Sequence, residues 1–240
     1  MTSLLLCALL NSGSMMKLLR VVAMTPYSLV QVFTEDSGLT RRLSINHSNS
    51  AVISTLKKRT FKYIKFIEEH YIYVSAGKRP KSILVVGGGG FSLGRKDGVN
   101  HYTFIDIDGQ LQKIVERELL HRSLNKNVTF VAKSARLFMR QNKQRYDLIV
   151  LDAFTNIASL PAQLVTKEFF EAVKARLNPG GIVVFNVIVS PNFVDAFSQR
   201  LDMTFRAVFP FANREVLGAY NGWNTKGKQL DNVIYSFFDR

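Results

Sequence analysis

The sequence predicts an α/β fold in which helices cover both faces of a parallel sheet, with a small antiparallel β-meander ahead of it. From Lys81 onward, short apolar runs alternate with segments of helical periodicity, which is typical of strand–helix–strand units. The runs are almost continuously apolar, as expected for strands buried on both faces. Before Lys81, alternating segments are separated by turn residues, which favours antiparallel strands.

Three strands and one helix are predicted for the N-terminal part. The strands are Leu18–Ala23, Tyr27–Thr34 and Thr40–Asn46, and the helix is Ser50–Tyr71. Turns rich in Pro, Asp and Gly separate the strands. The helix is inferred from apolar residues at helical spacing, including Ile64 and Ile67.

The main sheet is predicted to contain five strands in chain order, followed by less regular candidates. The five strands are Ile83–Val86, His101–Asp106, Val128–Ala132, Tyr146–Asp152 and Ile182–Val189. Between and after them, helices are predicted over Gly109–Leu119, Ala135–Asn142, from Thr166 to Leu177, and beginning at Ser190-Pro191. Further strands are predicted at Thr204–Phe209, Glu215–Tyr220 and Val233–Phe238.

The predicted organisation has three parts. Residues 1–16 are expected to be a disordered or mis-assigned start, residues 17–76 the N-terminal strands and helix, and residues 77–240 the Rossmann-like domain. The apolar run Leu4–Leu10 is interrupted by Asn11-Ser12-Gly13-Ser14, so it is shorter than the roughly 20 residues that a membrane span needs. A vestigial signal peptide is the alternative for this start.

The formal net charge of +14 predicts attraction to anionic partners, including nucleic acid. Two basic helical faces are expected, one with Lys58, Lys62 and Lys65 and the other with Arg136, Arg140 and Lys143. We favour solvated helix faces, because no aromatic-interleaved binding motif accompanies the charge. The expectation is therefore weak, non-specific binding of nucleic acid.

Cysteine and histidine usage argues against disulfides and metals. A single cysteine excludes an intramolecular disulfide, and the four histidines show no metal-ligand spacing. A reducing, cytoplasmic location and a site without metal are expected.

The first candidate site is the glycine run Gly87–Gly90, which directly follows the strand Ile83–Val86. Glycine has no Cβ and tolerates positive φ, so the backbone can turn sharply and approach a ligand closely. The dinucleotide fingerprint is incomplete, because Ser92 stands where the third glycine is expected. Alone, the motif is a weak signal, and a glycine loop that binds no ligand is the alternative.

Polar residues at neighbouring strand ends strengthen this prediction. Asp106 lies close to the roughly 20-residue spacing at which an acid meets a ribose, and a carboxylate can accept from both hydroxyls of a diol. The alternatives for Asp106 are a helix N-cap or a loop acid, and capping is the better interpretation for Asp108. Ser134 and Asp152 are expected at the same carboxyl edge, where such sheets bind ligands. Together these residues predict a site for a nucleoside-type ligand at this edge of the sheet.

At this point the sequence resembles the spermidine synthase (polyamine aminopropyltransferase) family, which has the fold of class I S-adenosylmethionine-dependent methyltransferases. The resemblance extends from about Thr25 to Phe238 and depends on the order and spacing of several motifs. These are the leading β-meander, Val86-Gly87-Gly88-Gly89, Asp106-Ile107-Asp108, Tyr146–Asp152 and Leu177-Asn178-Pro179-Gly180-Gly181.

The resemblance implies a site for S-adenosylmethionine or decarboxylated S-adenosylmethionine as donor. By that resemblance, Gly87, Gly88 and Gly89 cradle the methionine-derived part. Asp106, with Ile107 beside it, holds the ribose, and Ser134-Ala135 lies beside the adenine. Asp152, which closes the fourth strand, is the candidate catalytic residue.

Three departures from the family pattern affect the expected reaction. Gly90 replaces the aspartate that holds the cofactor's amino group, and Thr155 replaces the aspartate thought to deprotonate the attacking amine. The family's Tyr-His-Glu corresponds to Tyr63-Ile64-Lys65. An alkylamine has a pKa near 10, so it must lose a proton before it attacks, and threonine cannot act as that base. Divergent or weak aminopropyl transfer is therefore expected.

Several alternatives stay open. One is an S-adenosylmethionine-dependent methyltransferase acting on a small molecule or nucleic acid, and another is a non-catalytic nucleoside-binding protein. A nicotinamide-dependent oxidoreductase is more distant, because nothing resembles a hydride-acceptor site. The expected partners are a small-molecule acceptor that the sequence does not identify and a second copy of the chain in a homodimer, with no membrane contact.

Overall fold

The computed structural model describes residues 9–10, 17–55, 60–73, 79–155, 159–219 and 230–239. They form a five-stranded antiparallel sheet and a seven-stranded mixed sheet. Of the predicted start over residues 1–16, the described ranges include Leu9–Leu10, which pairs with Lys17 and Leu18. The prediction for the other residues of that start lies outside the described part.

The N-terminal sheet is a meander whose strands follow one another in sequence order. Its strands are β1 (Leu9–Leu10), β2 (Lys17–Met24), β3 (Leu29–Glu35), β4 (Thr40–Ile45) and β5 (Ser48–Ser54). The predicted β-meander is thus confirmed, with β2, β3 and β4 at the three predicted strands.

The helix predicted over Ser50–Tyr71 is wrong in its first part, because β5 occupies Ser48–Ser54. Asn46 and His47 have φ of +48° and +64°, so they form a tight two-residue turn that pairs β4 with β5. An Asn-His pair is a weaker hairpin signal than Asn-Gly, and the apolar residues of β5 fit helical spacing equally well. The helix α1 begins only at Lys62 (Lys62–Ile67) and continues as a π-helical turn over Glu68–Ile72.

The large sheet has the strand order β11-β12-β10-β9-β6-β7-β8. Its strands are β6 (Ser82–Val86), β7 (His101–Asp106), β8 (Val128–Ala132), β9 (Tyr146–Leu151), β10 (Leu177–Val189), β11 (Asn213–Ala219) and β12 (Asp231–Phe238). The five strands β6 to β10 run parallel, and β12 is antiparallel to β10 and β11. The chain order reverses between β6 and β9, which opens a crevice beyond their carboxyl ends.

Helices cover both faces of this sheet, as the sequence predicts. They are α2 (Leu111–Ile114, continued as a π-helical turn Val115–Leu120), α3 (Ala135–Gln141), α4 (Lys167–Lys174) and α5 (Ala196–Val208). Ile83 and Val85 belong to the core shared with the N-terminal sheet, whereas Leu84 and Val86 belong to the core under α3–α5. Both faces of β6 are therefore buried, which explains its uninterrupted apolar sequence. The division of the chain at residue 77 stays a prediction.

Two predictions near the C-terminus are wrong. The strand expected at Thr204–Phe209 lies mostly within α5, where Leu201, Phe205 and Val208 form the buried face. Ser190-Pro191 does not begin this helix, because Asp195 is its N-cap and accepts a 2.9 Å hydrogen bond from the Ser198 backbone N–H. None of the helices in the described ranges is both long enough and apolar enough to span a bilayer.

Candidate active site

The carboxyl ends of β6, β7 and β9 open into a cavity of about 940 Å³, which the β4–β5 hairpin and the start of α1 enclose from the other side. Seven of the eight residues predicted for the site line this cavity. They are Gly87, Gly89, Asp106, Ile107, Ser134, Ala135 and Asp152. The eighth, Gly88, does not line it but contacts a lining residue through its backbone.

The glycine turn brings the end of β6 against the end of β9. Gly87 has φ of +107°, and a Cβ there would lie 2.3 Å from the backbone oxygen of Asp152, closer than any side chain can approach. Gly89 also has a positive φ, +49°. The Gly88 N–H donates a 2.7 Å hydrogen bond to Oδ2 of Asp106. Glycine at position 87 therefore allows the end of β6 to lie directly against the backbone of Asp152.

Asp106 closes β7 and presents a carboxylate that is already oriented. Its Oδ1 accepts from the Asp108 N–H at 2.9 Å, and its Oδ2 accepts from Gly88. Burial raises the pKa of Asp106, and these backbone N–H groups act in the opposite direction. A carboxylate has about four acceptor positions, so two remain for ligand hydroxyls.

Asp108 has a structural role beside α2, although the N-cap of this helix is Gln110 and not Asp108. It is buried, its Oδ2 accepts from the Thr25 hydroxyl at 2.7 Å, and its Oδ1 accepts from the Gln110 N–H at 3.1 Å. Asp108 therefore fixes the start of α2 and ties it to the N-terminal sheet, and it does not line the cavity.

Ser134, Ala135 and Ile107 form the part of the wall beyond Asp106. The Ser134 hydroxyl accepts from the Leu137 N–H at 3.4 Å and so caps α3. Ile107 is 48% exposed, which leaves its apolar surface available to a ligand. This part of the cavity offers apolar surface together with one hydroxyl and several backbone groups.

Asp152 lies at the end of β9 within a chain of polar side chains. Its Oδ1 accepts from Asn186 Nδ2 at 2.8 Å, and Asn186 Oδ1 in turn accepts from Asn232 Nδ2 at 3.0 Å. The Tyr63 side chain also hydrogen-bonds to this carboxylate. Burial raises the pKa of Asp152 to about 7, and the bonds from Asn186 and Tyr63 act in the opposite direction. The carboxyl group is thus able to take up a proton near neutral pH.

The asparagines and Tyr63 are site residues that the sequence interpretation did not assign. Asn186 is buried, and it is the one polar residue within the otherwise apolar run Ile182–Val189. A polar side chain in such a run needs a hydrogen-bond partner, which is the signal that could have identified it. Asn232 carries no comparable signal, because its role depends on β12 pairing with β10.

The three departures from the family pattern occupy different environments. Gly90 does not line the cavity, and a Cβ there would lie 2.2 Å from the Cβ of Ala51 in the N-terminal sheet. Thr155 does line it, and both its N–H and its hydroxyl donate to the Ser159 carbonyl, at 2.8 and 3.0 Å. Lys65 points elsewhere and pairs with Glu69 at 3.6 Å.

The predicted basic faces are only partly within the described residues. Lys58 lies outside them, so its proposed face with Lys62 and Lys65 is not described. Lys62 and Lys65 do not share one surface, because Lys62 lines the cavity and Lys65 does not. On α3, Arg136 lines the cavity and Arg140 is exposed to solvent.

Solved structures similar to this one show which fold it has. A probable spermidine synthase from Corynebacterium glutamicum superposes with a TM-score of 0.74 at 22% identity, covering 91% of this chain and 80% of that one. A spermidine synthase in complex with the transition-state analogue AdoDATO gives 0.70 at 15% identity, covering 91% and 73%. Human methyltransferase-like protein 13 in complex with SAH gives 0.52 at 19% identity, covering 66% and 72%. The fold is that of spermidine synthases and class I methyltransferases.

Sequence relatives lead to the same family. Polyamine aminopropyltransferase 2 of Hyperthermus butylicus is 29% identical over 175 residues, which are 65% of this chain and 57% of that protein. The chain spans about half the length of the curated relatives it matches. The profile of the spermine/spermidine synthase domain matches residues 65–218. With the parallel sheet, the glycine turn and the two strand-end acids in place, we conclude that the chain belongs to the spermine/spermidine synthase family.

Proposed function

We propose that this chain binds an S-adenosyl-type donor and transfers an alkyl group from its sulfonium to an amine. The observation that carries this proposal is that the glycine turn, Asp106 and Asp152 open onto one cavity. The donor is S-adenosylmethionine or its decarboxylated form. The AdoDATO and SAH held by the two structural neighbours support a ligand of this class.

The lining residues fit an adenosine-containing ligand. Asp106 has acceptor positions left for the two ribose hydroxyls. Ile107 and Ala135 offer apolar surface to the base, and Ser134 offers a hydroxyl at its edge. The turn at Gly87 and Gly89 has no side chains, so the methionine-derived part can lie along the backbone towards Asp152.

The chemistry assigned to the site is a displacement at carbon. The amine lone pair forms a C–N bond while the C–S bond breaks, and the electron pair of that bond stays on sulfur as a thioether. Positioning supplies most of the acceleration in such a reaction. Since an alkylamine has a pKa near 10, its nitrogen must lose a proton, and Asp152 is the acid that lies where it can accept one.

Replacing Asp106 by alanine is expected to weaken the binding of methylthioadenosine by about 1.5–3 kcal/mol, which is the value of hydrogen bonds to a charged group. The measurement is calorimetric titration of the folded variant. Glu171→Ala, which removes an exposed acid that does not line the cavity, is the matched control. Unchanged affinity in Asp106→Ala would contradict the assignment of this carboxylate to the ribose.

Turnover of putrescine with decarboxylated S-adenosylmethionine is expected to be slow, because Thr155 stands where the family has the aspartate thought to deprotonate the amine, and Asp152 is left to accept the proton alone. Loss of such a base typically costs about 10²–10⁴-fold in rate. The comparison is with Thr155→Asp, which places a carboxylate on the cavity wall. A gain of activity in Thr155→Asp supports the alignment of this position, whereas turnover near 1 s⁻¹ or faster by the natural sequence would show that the base is misassigned.

A further inference from the structure

The order of the strands divides the cavity into a donor end and an acceptor end. Asp106 on β7 and Asp152 after β9 are separated by β6, which places them about 10 Å apart at ordinary strand spacing. Beyond Asp152 the wall continues through Asn186 on β10 and Asn232 on β12 to Gly218 on β11. A donor that reaches from Asp106 to Asp152 therefore leaves the stretch from Asp152 to Gly218 for the acceptor.

The acceptor end contains one carboxylate. All 18 Asp and Glu residues of the chain lie in the described ranges, so the structure shows where each of them is. Of these residues, Asp106 and Asp152 line the cavity, and Asp106 belongs to the donor end. Among the described residues, the side chains that hydrogen-bond to Asp152, directly or through Asn186, are the neutral groups of Tyr63, Asn186 and Asn232. A diamine carries two ammonium groups, and the described lining offers no second carboxylate to the distal one.

The ammonium group of Lys62 lies at the position where a second carboxylate would be needed to bind the distal ammonium of a diamine. Lys62 lines the cavity, and its Nζ lies 3.8 Å from where a Cβ on Gly218 would stand, at the far end of the acceptor wall. Among the described residues, its ammonium has no ion pair. Arg42 also lines the cavity, but its Nε is paired with the buried carboxylate of Glu35 at 3.1 Å.

From this distribution of charge we propose that the acceptor is an amine bearing an anionic group, which is held by Lys62 while the amine lies beside Asp152. This inference rests on the proposed function, because it assumes that a donor occupies the Asp106 end. A carboxylate or phosphate on the acceptor makes a charge-assisted contact with the Lys62 ammonium. A diamine of the same length would place its distal ammonium against this lysine.

The test is calorimetric titration of protein loaded with methylthioadenosine, which carries no carboxylate of its own. The probes are matched pairs of equal length, 4-aminobutyrate against putrescine and β-alanine against 1,3-diaminopropane. The natural sequence is expected to favour the anionic member of a pair by roughly tenfold or more. Lys62→Glu is expected to reverse this preference, and Lys62→Arg to retain it.

Lys65→Glu is the matched control, because it changes the net charge equally on the same helix but does not line the cavity. Position 62 is the first residue of α1, where a glutamate is favourable to the helix, so Lys62→Glu is expected to fold.

Failure of methylthioadenosine to bind would overturn both the proposed function and this inference. If methylthioadenosine binds and the natural sequence shows no preference for either anionic amine, or Lys65→Glu has the same effect as Lys62→Glu, the inference alone is wrong.

Discussion

Replacing Asp152 by asparagine is expected to lower the rate of alkyl transfer by about 10²–10⁴-fold, the usual cost of losing a positioned general base. Asparagine has nearly the same shape as aspartate but cannot take up the proton that the amine must lose. The affinity for methylthioadenosine should change little, since the ribose contacts belong to Asp106. The measurement is the initial rate with the best acceptor among the four amines named for the calorimetric test, together with titration of methylthioadenosine.

The dependence of the rate on pH identifies the same group independently. Burial raises the pKa of Asp152 to about 7. Below this pH the carboxyl group is protonated and cannot accept a proton, so the rate should rise through about pH 7 and then level off. Asn186→Leu removes a hydrogen bond that lowers this pKa and should move the rise to higher pH. A profile unchanged by both variants would assign the base to another group.

Gly90→Asp, which restores the acid that the family carries at this position, is expected to lower the free energy of unfolding by more than about 4 kcal/mol. A Cβ at position 90 would lie 2.2 Å from the Cβ of Ala51 and 3.1 Å from Cδ2 of Leu119. An aspartate here would therefore place an unpaired charge in the core between the two sheets. Urea unfolding followed by circular dichroism measures the loss.

Gly98→Asp is the control for this substitution, because a Cβ at Gly98 meets nothing within 4 Å and the residue is exposed. Its effect is expected to stay within about 0.5 kcal/mol. The double variant Ala51→Gly with Gly90→Asp tests the steric part and should recover some of the lost stability. A stable Gly90→Asp variant with improved affinity for the decarboxylated donor would mean that position 90 faces the cavity.

The parallel part of the fold could be predicted because its central strands β6 and β9 are buried on both faces and therefore almost continuously apolar. For the less buried edge strand β8, the predicted and observed bounds, Val128–Ala132, also agree. Hydrophobic periodicity cannot distinguish a helix from a strand where the apolar residues of a segment fit both. The apolar residues around Ile53 suit a helix or a strand, and only the turn at Asn46-His47 decides for the strand.

The candidate site was predictable where it depends on one strand end and not where it depends on pairing between distant strands. Asp106 and Asp152 follow apolar runs, so the sheet rule places both at the same edge. Asn232 reaches Asn186 only because β12 inserts beside β10, and no local pattern predicts that pairing. Likewise, the resemblance to the family relates Gly90 to an acid that holds a ligand, but the packing of Ala51 against this position decides where it faces.

Because the β4–β5 hairpin forms part of the cavity wall, ligand binding is thermodynamically linked to the association of the two sheets. Asn46 Nδ2 donates a 3.1 Å hydrogen bond to the backbone oxygen of Thr155, so one wall of the cavity comes from the antiparallel sheet and the other from the parallel sheet. A ligand in the cavity contacts both sheets at once, and its binding free energy adds to the stability of their association. At a ligand concentration 100 times the Kd, this linkage amounts to about 2.7 kcal/mol. Donor binding is therefore expected to make the two sheets unfold together, as one cooperative unit.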